Sequence, residues 1–187
     1  MITGDWLNPP PSVRDDGSAL LVTAAAGSDF WRTTSYGYDR DSGHALLSPF
    51  GPEAAVEVSF LADYDHQFDQ AGLLVRLDET TWIKAGAEYC DGTLQLGAVV
   101  TRGVSDWSSF PVPWAGREVT IRASRSGDAV TIRARAGGDP WQMIRLAPFP
   151  PAVEAAAGPY CCAPEREGLT VRFTRAAPAP PDEALHP

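Results

Sequence analysis

Apolar and polar residues alternate with a period of two along most of the chain. The alternation is clearest in residues 119–124, 130–135 and 169–174, where each apolar residue is followed by Thr, Arg or Ser. Such segments are typical of strands with one buried and one solvated face. Residues 56–60 give another strand, and no segment has the period of an amphipathic helix. Gly and Pro, seventeen of each, punctuate these strands, a pattern that predicts an all-β sandwich or barrel.

The chain has 187 residues. This length is enough for one domain with a sizeable core and too short for two domains of ordinary size. We assign residues 1–175 to a single β-sandwich domain. Residues 176–187 are rich in Ala and Pro and have no periodicity. This composition predicts a flexible tail.

Three strands in the middle of the chain have an unusual second face. They are Gln70–Arg76, Trp82–Tyr89 and Leu94–Thr101, and one face of each is plainly apolar. The other face mixes glycine, polar and large side chains: Gln70, Gly72, Leu74 and Arg76, then Trp82, Lys84, Gly86 and Glu88, then Gln95, Gly97, Val99 and Thr101.

The turns between these strands predict their register. Asp91-Gly92 is a strong signal for a two-residue type I′ hairpin, which pairs Glu88 with Gln95, Gly86 with Gly97, Lys84 with Val99 and Trp82 with Thr101. A five-residue loop, Leu77 to Thr81, pairs Arg76 with Trp82, and therefore Gln70 with Glu88 and Gly72 with Gly86.

This register aligns Gly72, Gly86 and Gly97 in a row across three strands. Missing side chains would leave a trench roughly 10 Å long, with Lys84 and Glu88 facing it. The alternative is that strand glycines serve sheet curvature alone, with Lys84 and Glu88 forming an exposed ion pair of little energetic value. A concave sheet is compatible with both interpretations.

Charge and cysteine content narrow the functional classes. The net charge of −9 argues against nucleic acid and anionic membrane as partners. No apolar run is long enough for a membrane helix, and the N-terminus lacks a signal-peptide pattern. Three cysteines, two of them adjacent, do not suit a disulfide framework and indicate reduced thiols in a cytoplasmic protein.

Several ordered motifs resemble those of a concanavalin A-like family of unknown function, named after a regulator of enolase. The motifs are residues 29–32 (DFWR), 40–44 (RDSGH), 69–76 (DQAGLLVR), 82–89 (WIKAGAEY) and 105–108 (SDWS). The likeness extends from Trp6 to Phe173. It implies a two-sheet jelly-roll sandwich and an intracellular protein, and it implies no reaction. Cys161 and Cys162 stand where relatives tend to carry small residues, which favours a packing role.

An enzyme is one alternative for this face. Retaining glycosidases need two carboxyl groups about 5–5.5 Å apart, and the strand with Lys84 and Glu88 offers only one acid. Asp29 or Asp106 would have to supply the second. Lys84 and Glu88 are also candidate catalytic residues for isomerisation or elimination, as base and acid, if burial shifts their pKa values.

We favour a module that binds a glycan or a similar polyhydroxylated small molecule on the concave sheet. Aromatic rings stack on the apolar face of sugars, while polar groups bind the hydroxyls. The candidate ligand-binding residues are Asp29, Trp31, His44 at the rim, Gln70, Trp82, Lys84, Glu88, Asp106 and Trp107. Lys84→Ala and Glu88→Gln should then keep the fold and abolish binding. For Trp31 and Trp107, the alternative is that their rings pack in the core. After the binding module and the enzyme, a third possible function is a protein-interaction domain with an unknown partner.

The sequence predicts no metal and no cofactor. Residues 39–43 faintly resemble a calcium loop, but Phe50 stands where an EF-hand loop has glutamate. His66, beside Asp65 and near Asp69, is better explained as a loop residue. Neither a phosphate-binding glycine loop nor a serine nucleophile elbow is present in the sequence.

Overall fold

The computed structural model describes residues 3–186, which form sixteen strands. The strands are β1 (Asp5–Leu7), β2 (Ser12–Asp15), β3 (Leu20–Thr23), β4 (Phe30–Arg32), β5 (Asp39–Asp41), β6 (His44–Phe50), β7 (Ala54–Leu61), β8 (Gln70–Arg76), β9 (Thr81–Cys90), β10 (Thr93–Arg102), β11 (Val104–Pro111), β12 (Glu118–Ser126), β13 (Ala129–Ala136), β14 (Gln142–Pro148), β15 (Ala155–Cys162) and β16 (Thr170–Ala179). No helix that could span a membrane occurs among residues 3–186.

Two seven-stranded antiparallel sheets pack face to face, which confirms the predicted all-β jelly-roll sandwich. The front sheet has the order β1-β6-β15-β8-β9-β10-β11, and the back sheet has the order β14-β13-β12-β7-β16-β3-β2. Strands β4 and β5 form a separate two-stranded ribbon. Strands β15 and β8 are neighbours in the front sheet although they are far apart in sequence, because the chain crosses repeatedly between the two sheets.

The main core lies between the inner faces of the two sheets and consists mainly of apolar side chains. Phe60 of β7 and Phe173 of β16 lie at its centre, with ring centroids 6.2 Å apart. Leu73, Ile83 and Leu96 contribute from the front sheet and are completely or almost completely buried. These positions belong to the apolar sets that the alternation predicted.

The predicted register of the three central strands is confirmed. Gln70 pairs with Glu88 and Gly72 with Gly86 across β8 and β9, and β9 pairs with β10 as the hairpin requires. Asp91 and Gly92 have φ angles of 52° and 81°. Both values are positive, as a type I′ turn demands.

The end of the chain differs from the predicted flexible tail. Strand β16 continues to Ala179, and its residues 176–179 pair with β7. Asp182 then accepts hydrogen bonds from Arg122 and Arg133 on the back sheet. Strand β3 pairs with β16 only as far as Phe173, so the second half of β16 has one open side. A strand tolerates proline, here Pro178, on such an open edge, and this explains why composition alone was misleading.

Candidate functional site

The β4–β5 ribbon lies over the outer face of the front sheet. Arg76 of β8 holds Asp41 of β5 through two hydrogen bonds of 2.7 Å. At the other strand of the ribbon, the backbone N–H of Arg32 donates to Ser105 Oγ at 2.9 Å, and Arg32 Nε donates to the carbonyl of Gly103. The ribbon is therefore fixed to both β8 and the β10–β11 hairpin.

A second apolar cluster lies under the ribbon, on the outer face of the front sheet. Its buried members are Phe30, Trp31, Ala45, Leu74, Trp82, Val99, Tyr160 and Cys162. Phe30 of β4 is wholly buried and packs 6.0 Å from the ring of Trp82. A Cβ atom on Gly43 would lie 2.3 Å from the Phe30 ring, so only glycine fits beside it.

The glycine row does not form the predicted trench. A Cβ atom on Gly72 would lie 2.0 Å from the carbonyl oxygen of Ala85, and one on Gly86 would lie 2.1 Å from that of Ala71. These glycines therefore permit a close approach of neighbouring backbones, which supports the curvature interpretation. The space over Gly86 and Gly97, which Tyr160 borders, is a cavity of only about 10 Å³. This volume holds roughly one water molecule.

The cavity that contains most of the predicted site residues, called the main cavity below, lies beside the glycine row and has a volume of about 250 Å³. Two cavities elsewhere, near Gly17 and near Trp141, are larger, at about 550 and 490 Å³. Strands β8, β9 and β10 form the floor of the main cavity, and two loops and the ribbon form its walls. It is lined by Asp29, Trp31, Tyr36, Tyr38, Arg40, Phe68, Gln70, Lys84, Glu88, Val99, Trp107, Pro164 and Glu165.

Lys84 is the buried cation of the floor, with only 3% of its surface exposed. Its Nζ donates to Asp29 Oδ1 at 2.9 Å and to Gln70 Oε1 at 2.8 Å. Burial disfavours the ammonium, but the Asp29 carboxylate, with further anionic neighbours, outweighs it and raises the pKa of Lys84. Lys84 is therefore a fixed positive charge and unsuited to act as a base near neutral pH.

Glu88 lies on the same face of β9 and is only partly exposed. Burial raises the pKa of its carboxyl group to about 7, against an opposing contribution from Lys84 and with a smaller supporting one from Asp29. Lys84 forms its ion pair with Asp29 and not with Glu88, so the alternative of an exposed Lys84–Glu88 ion pair is wrong. A carboxyl group that titrates near neutrality in a cavity is a candidate functional group.

Aromatic rings form one wall of the cavity. The Trp31 ring has edge-to-face contacts with Tyr36, at 5.4 Å between centroids, and with Trp107, at 6.3 Å. Tyr36 and Tyr38 stack at 5.7 Å, and the Arg40 guanidinium lies 4.4 Å from the centre of the Tyr38 ring. Tyr36 and Tyr38 are substantially exposed, so this aromatic wall reaches the mouth of the cavity.

Pro164 and Glu165 form part of the opposite wall. The next residue, Arg166, binds both carboxylate oxygens of Asp69, with its closest contact at 2.6 Å. Asp69 is fully buried and directly precedes Gln70 of the floor. This ion pair therefore ties the 164–165 wall to the start of β8.

Six of the nine predicted ligand-binding residues line the main cavity: Asp29, Trp31, Gln70, Lys84, Glu88 and Trp107. The other three do not. Trp82 is on the predicted face, but Phe30 covers it and only 1% of it is exposed. His44 is buried, with Nδ1 bonded to the carbonyl of Asn8 and Nε2 accepting from the Ala25 N–H. The exposed Asp106 pairs with Arg145.

Residues of the cavity that the sequence analysis missed come from the ribbon and from loops. Tyr36, Tyr38 and Arg40 belong to the ribbon, and Phe68, Pro164 and Glu165 belong to connections between strands. The closely spaced tyrosines around Gly37 were a usable signal, because a turn that exposes two rings is unusual outside a contact surface. Nothing in the sequence indicated the 164–165 wall.

One group of potential metal ligands lies near the site. Side chains of Asp65, His66 and Asp69 come within 4.8 Å of one another. Asp69 is already bound by Arg166, and His66 Nδ1 contacts Asp65 at 2.6 Å. Because the positive Arg166 guanidinium already binds Asp69, the buried member of this group, the group is a poor cation site.

Comparison with known proteins places the chain in a family. The family described as "Protein of unknown function (DUF1349)" matches residues 6–181. "Regulation of enolase protein 1" of Saccharomyces cerevisiae is 38% identical over 184 residues, which is 98% of this chain and 93% of the yeast protein. The crystal structure of a functionally unknown protein from Saccharomyces cerevisiae superposes with a TM-score of 0.90 and 37% identity, covering 96% of this chain and 97% of that one.

More distant structures share the fold alone. A xylan β-1,4-xylosidase from Bacillus halodurans matches with a TM-score of 0.65 at 13% identity, over 86% of this chain and 32% of that enzyme. The sandwich thus corresponds to about a third of that larger protein. The chain is similar along nearly its whole length to regulation of enolase protein 1 of Saccharomyces cerevisiae, and the family match shows that it belongs to the DUF1349 family.

Proposed function

We propose that the chain is a binding module for a small carbohydrate or a similar polyhydroxylated ligand, which occupies the main cavity. One observation carries the proposal: a buried, hydrogen-bonded polar floor of Lys84, Asp29 and Gln70 lies against an aromatic wall. Rings pack on the apolar face of a sugar, while a few fixed polar groups select its hydroxyls.

The size of the cavity limits the ligand. A volume of about 250 Å³ lies just below the range of roughly 300–1,000 Å³ that drug-sized ligands occupy. One sugar ring therefore fits better than an extended chain. The xylosidase shares this sandwich fold, so the fold occurs in a protein that acts on a carbohydrate. The match identifies no residue of this site.

Binding of a monosaccharide panel, followed by thermal shift and calorimetry, tests this proposal. Trp107→Ala removes a partly buried ring of the wall and should weaken binding by at least about tenfold, or 1.4 kcal/mol, because stacking area is lost. Trp141→Ala is the matched control, because Trp141 lies on the back sheet side, under Arg135. Equal binding by wild type and Trp107→Ala would place the ligand elsewhere.

A sugar-processing enzyme is the second candidate function, and Glu88 alone favours it. A carboxyl group with a pKa of about 7 suits general acid–base catalysis near neutral pH. Hydrolysis by two carboxylates is disfavoured, because Asp29 is bound to Lys84 and to the Phe30 N–H, and Asp106 lies outside the cavity. Turnover of a sugar that Glu88→Gln suppresses would favour the enzyme over the binding module.

Three free cysteines are buried among the described residues, and the proposal places the protein in a reducing, intracellular compartment.

A further inference from the structure

Glu88 is the one acid of the cavity floor that no protein group binds within the described part of the chain. Its cross-strand neighbours are Gln70 on β8 and Gln95 on β10. Either amide could in principle donate to the Glu88 carboxylate. The structure shows where both amides point instead.

Both glutamine side chains direct their N–H groups away from Glu88. Lys84 can only donate, so Gln70 Oε1 must face it, and Gln70 Nε2 then donates to the carbonyl of Phe68 at 3.3 Å. Gln95 Nε2 donates to the carbonyl of Cys90 at 3.2 Å, and its Oε1 accepts from Ser109 Oγ at 2.7 Å. The amide orientations are fixed by these obligatory donors and acceptors.

The Glu88 carboxylate is partly exposed and lines the main cavity, so a charged donor on a ligand can reach it and replace its contacts with water by a charge-assisted hydrogen bond. The cations of the cavity are already engaged: Lys84 with Asp29 and Gln70, and Arg40 over the Tyr38 ring. Glu165 adds another carboxylate at the wall.

The remaining surroundings favour a positive donor over a neutral one. Three carboxyl groups, Asp29, Glu88 and Glu165, line the cavity against two cations, Lys84 and Arg40. The whole chain carries a net charge of −9. The Tyr38 ring already attracts one cation, the Arg40 guanidinium, because aromatic rings have a negative face.

We propose that the ligand carries a protonated amine that binds at Glu88, so that the preferred ligand is an amino-substituted sugar or a similar polyhydroxylated amine. This inference rests on the proposed function and narrows its ligand class. The ammonium group binds the Glu88 carboxylate in a charge-assisted contact, and the ligand hydroxyls face the Lys84–Gln70 floor.

Matched ligand pairs test the inference by calorimetry. Each pair is a methyl hexoside and its 6-amino-6-deoxy analogue, in the gluco, galacto and manno configurations. At about pH 8, where Glu88 is ionised, the amino member of the preferred pair should bind at least about tenfold more tightly. Glu88→Gln should remove this difference, and Glu167→Gln, an exposed acid outside the cavity, should keep it.

Lowering the pH gives an independent readout. At about pH 6 the Glu88 carboxyl is mostly protonated, so the advantage of the amino sugar should fall roughly tenfold, while the neutral hexoside is little affected. No histidine lines the cavity in the described part of the chain. The charged or titratable groups around Glu88 are Asp29, Tyr36, Lys84, Cys90, Tyr160 and Cys162.

Each outcome decides between the two proposals. Equal binding of both members of a pair, weakened by Glu88→Gln, means that a hydroxyl donates to Glu88; it overturns the amine and leaves the sugar module standing. Equal binding of cyclohexylmethylamine and the amino sugar supports ammonium recognition and overturns the polyhydroxylated ligand. No binding of any member at millimolar concentration overturns both.

Discussion

The two faces of the front sheet are both buried, yet they are built from different chemistry. The inner face meets the back sheet mainly with apolar side chains. The outer face, on the same strands, combines an apolar cluster under the ribbon with the Lys84–Asp29–Gln70 network. Strand β9 supplies both faces, with Ile83 and Ala85 on one side and Lys84 on the other.

The difference shows what each face does. Apolar contacts on the inner face contribute stability without regard to direction. Buried charges on the outer face are retained only when each has a partner, and the structure satisfies Lys84 while leaving Glu88 without a donor. A functional site is expected where this rule is incompletely met.

Breaking the buried ion pair should have the largest effect. Lys84→Met leaves the buried Asp29 carboxylate without its ammonium and should destabilise the protein by about 3–5 kcal/mol, measured by urea unfolding at neutral pH. This corrects the sequence-based expectation that Lys84→Ala leaves the fold intact.

The double variant Asp29→Leu/Lys84→Met makes the outer face resemble the inner one. It should recover most of the lost stability, because a buried ion pair contributes little net free energy over apolar side chains. A loss below about 1 kcal/mol in the single variant would mean that solvent reaches Asp29 and that the floor is not enclosed.

Filling the glycine row should have the next largest effect. Gly86→Ala places a Cβ atom 2.1 Å from the Ala71 carbonyl oxygen and should cost about 3 kcal/mol, since backbone must move. Gly138→Ala is the control, because a Cβ there meets no atom within 4 Å. If thermal unfolding of the two variants is alike, the row has room for side chains and the trench interpretation returns.

Neutralising Glu88 should have the smallest effect and the opposite sign. The pKa of Glu88 is about 7 in the folded protein against an ordinary value of 4.5. The folded state therefore holds the proton more tightly, and its stability falls as the pH rises from about 4.5 to 7. The difference between these two pKa values corresponds to about 3.4 kcal/mol. Solvent screens the partly exposed carboxyl group, so Glu88→Gln, which lacks this loss, should be more stable than wild type by about 2 kcal/mol at pH 8.

Unfolding measured across this pH range checks the sign. The difference between Glu88→Gln and wild type should be near zero below about pH 4.5 and constant above about pH 8. A variant that is less stable than wild type at pH 8 would show that the protein itself binds the Glu88 carboxylate.

The strands and register of the fold were predictable because they depend on local signals. Period-two alternation and the Asp91-Gly92 turn determine which residues share a face and which pair across β9 and β10. Those rules placed Gln70, Lys84 and Glu88 together without coordinates. The order of strands in the sheets was not predicted, because the family resemblance implied only a two-sheet jelly-roll sandwich.

The remaining features depend on contacts between distant segments. Asp29 binds Lys84, 55 positions away, and Arg166 binds Asp69 across 97 positions; no local pattern predicts either. Trp82 was placed on the correct face, but its burial follows from the ribbon above it. A face can be predicted from periodicity, whereas what covers that face cannot.

The cavity has a floor on strands of the front sheet and walls that include several residues from connections between strands. Gln70, Lys84 and Glu88 occupy strand positions that the sheet register fixes, whereas Tyr36, Tyr38 and Glu165 lie in or beside connections. Connections accept insertions and substitutions at low cost to the sandwich. Substitutions in these connections can therefore alter the shape of the cavity at a lower cost in stability than substitutions in its floor.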